Sequence, residues 1–158
     1  MWQATRVSVM MVLPRRRGIR DGYQESGMKW KEEYATGIPR LDEQHQMLFK
    51  MTEDYRVALD EDMGEQTYVD LLVVLTRYCR GHFGFEEDCM EQHKCPMAKE
   101  NKEAHAQFLD VLAKYQQRYS AIGFDGVDAR KLVDTLDQWL DSHICRIDTH
   151  LKRCVLRT

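Results

Sequence analysis

Six potential metal ligands lie on four stretches of helical periodicity, and only helices packed around a common point can use them all. They are His45, His82 with Glu86, His105, and His143 with Asp148, and they take four of the chain's six histidines. Four residues of α-helix turn the chain through about 400°, so positions i and i+4 share a face. His82 and Glu86 therefore point the same way, as do Asn101 and His105. His143 and Asp148 stand five apart, about 140° out of alignment on an α-helix, so the last helix must end or bulge there for both to face inward. Asn101 is the irregularity: a His-x-x-x-His pair ending at His105 would need an imidazole at that position.

The rest of the pattern supplies the helices. Residues 40–59 carry an apolar stripe of Leu41, Met47, Leu48, Met51, Tyr55 and Leu59. Residues 65–92 repeat Leu71, Leu72, Leu75, Tyr78, Cys79, His82 and Phe85 at threes and fours, and Pro96 fixes the break that follows. Residues 97–119 place His105, Phe108, Leu109, Leu112 and Tyr115 on one face. After a turn holding Gly123 and Gly126, a last helix from 127 carries Leu132, Val133, Leu136, Trp139 and Leu140 inward towards His143. Connections this short join antiparallel neighbours. The fold class is all-α, an up-down-up-down four-helix bundle entered through an extended arm at Trp30 to Pro39.

Composition bounds the alternatives. The chain's 158 residues make one domain with room for a core. A net charge of −3 lacks the basic excess of a nucleic-acid binder, and no apolar run approaches the ~18 residues of a membrane span. Residues 1–27 differ from the rest. Their apolar run from Val7 to Leu13 precedes its arginines, the reverse of a secretory signal. The expectation is a disordered arm or an upstream translation start, with the domain occupying 28–158. Cys79, Cys89, Cys95, Cys145 and Cys154 are odd in number and form no Cys-x-x-Cys pair. Reduced thiols packed as small hydrophobes, in a cytoplasmic protein, are the expectation. His93 and His150 are expected at the surface.

Imidazole with carboxylate suits iron, manganese or zinc, and Glu86 and Asp148 could each bridge a pair of ions. From Met28 to about Arg153 the chain resembles a bacterial haemerythrin. The resemblance rests on the stretch Thr36-Gly37-Ile38-Pro39-Arg40-Leu41-Asp42-Glu43-Gln44-His45, the block His82-Phe83-Gly84-Phe85-Glu86-Glu87, and His143-Ile144 followed by Asp148. It implies a non-haem di-iron centre that binds dioxygen reversibly. One iron would take His45 and His82 and keep a position open for oxygen. The other would take His105 and His143, with Asn101 where a third histidine belongs, and Glu86 and Asp148 would bridge. Phe83, Trp139, Leu140 and Ile144 match the family's apolar oxygen pocket; taken singly, each is equally an ordinary core residue.

An amide oxygen is a weaker ligand than imidazole, so the position would fall to Asn101 itself, to water or to nothing. Three outcomes stay open for that half: a di-iron site with one labile position, easy loss of that ion, or a single iron at His45 and His82. The first is the expectation, since the other ligands and both bridges remain. The resemblance implies oxygen carriage, storage or delivery, without a protein catalytic apparatus. The alternatives are a sensor of oxygen, nitric oxide or redox state acting through a partner, and a peroxidase-like enzyme whose chemistry is the metal's own.

Overall fold

The computed structural model describes residues 27–157, so the expectation for the N-terminal arm falls almost wholly outside the described residues. Four long helices pack antiparallel: α1 (Pro39–Asp60), α2 (Gly64–Gln92), α3 (Ala98–Ile122) and α4 (Gly126–Trp139). The last continues without a break into a π-helix, Leu140–Asp148, and ends in a short α5 (His150–Val155). Bounds read from periodicity agree to within about one residue, except that α3 absorbs Ser120 to Ile122, which the sequence reading had given to the turn.

Local chemistry explains the helix ends. Thr36 donates both its backbone N–H and its hydroxyl to the Asp42 carboxylate, at 2.7 and 2.9 Å, tying the approach to the first turn of α1. Gly37 turns the chain at φ +86°, and Pro39 takes the first helical position, where no N–H is missed. Gly123 terminates α3 at φ +78°, and Asp125 caps α4 by accepting the N–H of Asp128 at 2.8 Å.

The main core runs along the bundle between Leu48, Tyr55, Leu59, Leu72, Leu75, Leu112, Leu132 and Leu136. A smaller apolar cluster of Leu41, Cys89, Met90, Cys95, Leu151 and Cys154 closes one end. Two expectations are corrected here. Met47, assigned to the inward stripe of α1, is 44% exposed. It lies two residues from His45, about 200° round the helix, so it must face away when His45 faces in. Cys95 and Cys154 are joined in a disulfide, with Cα atoms 5.5 Å apart, in place of free thiols. Cys79, Cys89 and Cys145 remain free. His150 is exposed and His93 half-buried.

Candidate metal centre

His45, His82, Glu86, His105, His143 and Asp148 meet in the bundle interior, each essentially sealed from solvent. They form two groups that share Glu86: His45, His82 and Glu86, and then Glu86, His105, His143 and Asp148. The π-helix is what completes the second group. Its i→i+5 bonding widens each turn, which brings His143 and Asp148 onto one face in spite of their five-residue spacing. Asp148 Oδ1 lies 3.3 Å from His143 Nε2, and its Oδ2 lies 3.4 Å from His45 Nε2.

Glu86 sits between the groups. Its Oε1 is 3.6 Å from His45 Nε2, while its Oε2 is 3.3 Å from His105 Nε2 and 3.9 Å from His82 Nε2. These contacts are too long or too poorly directed to be hydrogen bonds. Both oxygens of Glu86, both of Asp148, and the Nε2 atoms of all four histidines are buried without a hydrogen-bond partner. Buried polar atoms are rarely left so, and each specific exception calls for an explanation such as an ion. Donor atoms about 2.1 Å from a shared ion stand roughly 3–3.5 Å from one another. The spacing, the imidazole–carboxylate chemistry and the unsatisfied atoms therefore fit a pair of metal ions.

The outer partners fix how the imidazoles are presented. His82 Nδ1 donates to Gln44 Oε1 at 3.0 Å, and His105 Nδ1 donates to Glu87 Oε1 at 3.0 Å. Both acceptors favour a proton on Nδ1, which leaves Nε2 as the nitrogen available to a metal ion. Burial pushes the imidazoles of His82 and His143 down to about 3, so both are neutral and ready to ligate. Burial also pushes Asp148 well above the usual carboxylate range, helped by the charge on Glu86. Burial acts in the same direction on Glu86, but the His105 and His45 imidazoles outweigh it and hold that carboxyl low.

If Asp148 ligates a metal ion, that ion displaces its proton, which sets the sign of a pH effect. Affinity for a divalent metal ion is then expected to rise, with proton release, as pH increases through the region above the ordinary carboxylate range, and to fall on acidification. Anaerobic calorimetric titrations in buffers of different ionisation enthalpy measure both quantities. Affinity that is independent of pH, without proton release, would contradict the assignment of Asp148.

Aromatic rings pack round the ligands. Phe83 stacks on His105 at 3.8 Å and 8°, and Trp139 stacks on His143 at 4.6 Å and 18°. Leu140 and Ile144 are fully buried beside them in the main core. The sequence reading set Phe83 and Trp139 beside the His45–His82 half; Phe83 does meet His82, at 5.6 Å, while the stacked partners of both rings belong to the other half. The ring facing His45 from outside the ligand set is Trp30, at 6.3 Å, a residue that reading left without a role. Gln44, Glu87 and Met90 were likewise without one. Among the free cysteines, Cys79 is buried in the main core, where burial pushes its thiol up to about 12, which suits a packing residue.

A helical bundle holding adjoining, carboxylate-linked groups of metal donors defines a cation-binding protein. Comparison with known proteins agrees. Residues 36–155 match the Hemerythrin HHE cation binding domain. The bacteriohemerythrin of Stenotrophomonas maltophilia is 30% identical over 115 residues, covering 73% of this chain and 72% of the relative. That of Clostridium acetobutylicum is 24% identical over 122 residues, covering 75% and 94%. The chain belongs to the haemerythrin family. Among the described residues, no helix is long and apolar enough to cross a membrane.

Proposed function

We propose that the chain is a non-haem di-iron protein that binds dioxygen for carriage, storage or delivery. The observation that carries this reading is the set of unpartnered Nε2 and carboxylate oxygen atoms converging on Glu86 and Asp148. His45 and His82 hold one ion, His105 and His143 hold the other, and Glu86 and Asp148 serve both. Bound iron supplies the electrons and the open coordination position that dioxygen binding requires.

The protein's own part is orientation and exclusion. Gln44 and Glu87 hold two of the imidazoles by their outer nitrogens, so the ligands need little rearrangement when metal arrives. Phe83, Trp139, Leu140 and Ile144 keep water from the centre, which slows protonation and loss of oxygen in a reduced form. The relatives named bacteriohemerythrin support a binding role.

The test is anaerobic loading with ferrous ion, metal analysis, and visible spectra through cycles of air and argon. A charge-transfer band that appears in air and disappears under argon is the expected result. Progressive bleaching with continued turnover of an added reductant would favour a peroxidase-like enzyme. Isolation with zinc alone, and failure to take up iron, would overturn the reading.

A further inference from the structure

We propose that Asn101 is itself a metal ligand, its side-chain oxygen completing the ion held by His105 and His143, and that the Met90 thioether sets which end of the amide faces that ion. The proposal rests on the two-ion reading above and says what fills the position where the family pattern has a histidine.

Asn101 is completely buried, on the face of α3 that carries His105 one turn later. Its Nδ2 donates to Met90 Sδ at 3.1 Å. Its Oδ1 is buried with no hydrogen-bond partner, the same condition as the Nε2 of His105 and the oxygens of Glu86 and Asp148. The pairing follows from the antiparallel register of α2 and α3. Glu86 meets His105, and one turn later in α2 and one turn earlier in α3 Met90 meets Asn101. A thioether accepts weakly and cannot donate. With the amide reversed, Oδ1 would face sulfur, acceptor against acceptor, while the NH2 group took the oxygen's place. Met90 thus acts as a positioning residue, and Asn101 offers oxygen to the site.

The donor chemistry follows. The half built on His105 and His143 becomes richer in oxygen than a three-histidine half. Oxygen donors suit manganese and other hard divalent ions, whereas imidazole favours iron, nickel, copper and zinc. This half therefore binds ferrous ion more weakly than a three-histidine half would, and it discriminates less between ferrous and manganous ions.

Anaerobic titrations with Fe2+ and with Mn2+, read by metal stoichiometry and by the Mn2+ electron paramagnetic resonance signal, test this on the parent, Asn101→Ala, Asn101→His and Met90→Leu proteins. The parent should bind two ions. Asn101→Ala should weaken the binding of one of them only, by at least about ten-fold, the lower bound for losing even an outer-shell partner. Asn101→His should tighten that step and widen the preference for Fe2+. Met90→Leu, which keeps the volume and removes the sulfur, should weaken it by less than Asn101→Ala while leaving the circular dichroism unchanged. Unchanged affinity for both ions in Asn101→Ala overturns the assignment of Asn101 while leaving the two-ion reading intact. A second ion that binds only in Asn101→His also overturns it. If neither the parent nor Asn101→His takes a second ion, the two-ion reading fails and the proposal fails with it.

Discussion

Replacing Glu86 with Gln is expected to weaken metal binding in both halves of the centre, by more than about 100-fold, beyond the range seen when only an outer-shell partner is lost. Glu86 belongs to both donor groups. Its two oxygens face His45 on one side and His105 and His82 on the other. Gln has the same shape, no negative charge, and only one oxygen to offer. A His82→Ala variant, by contrast, should lose one ion and retain the other. Metal analysis after extensive anaerobic dialysis separates the two outcomes. Full retention of both ions by Glu86→Gln would remove the bridging role.

Stability should fall even when metal is absent. Glu86 is sealed from solvent, and the facing His105 and His45 imidazoles hold its carboxyl low, so the fold favours its charged form. Gln has no charge to offer those imidazoles, so metal-free Glu86→Gln should be less stable than the metal-free parent, by about 1–3 kcal/mol. Loaded parent should exceed loaded variant by more, because ions that bind only the folded state stabilise it by mass action. Urea unfolding with and without metal should show this widening gap. Equal stability of the two metal-free proteins would rule out a stabilising interaction between the carboxylate and the imidazoles.

The six candidate ligands were legible because each obeys a local rule. His82 and Glu86 are one turn apart, and the five-residue step from His143 to Asp148 demanded an irregular helix. The kind of irregularity was not legible: termination and a π-helix both satisfy that step, and packing against α3 decides between them. Residues acting across helices were also out of reach. Gln44 supports His82 from 38 residues away, and Met90 meets Asn101 only through the register of α2 against α3. Met47 was misread because its i+4 relation to Met51 suggested a stripe, while the stronger constraint was the inward histidine two residues before it. Trp30 precedes the first long helix, where periodicity says nothing about what a side chain touches.

The Cys95–Cys154 disulfide lies beyond any local rule, since 59 residues separate its ends and five cysteines leave several pairings open. Closing a loop of that length removes enough unfolded-state entropy to stabilise the fold by about 4 kcal/mol. Cys95→Ser, Cys154→Ser, or reduction by a small dithiol should therefore lower the unfolding free energy by about that amount, which denaturant titration measures. The effect should also reach the metal centre. The disulfide belongs to the apolar cluster with Leu41, Met90 and Leu151, and these residues lie one turn or less from His45, Glu86 and Asp148 in sequence. Loosening this end removes support from Asp148 and from the Met90–Asn101 contact, so reduced protein should release the ion of the His105–His143 half faster than oxidised protein does. Cys89 lies in the same cluster, but burial first, and then the charges of Glu86 and Asp88, push its thiol up and leave it a poor nucleophile. It should not scramble the pairing, and peptide mapping under non-reducing conditions should recover Cys95 linked to Cys154 alone. Equal unfolding free energies for the oxidised and reduced proteins would rule out the disulfide as a stabilising link, and equal metal release from both would separate it from the centre.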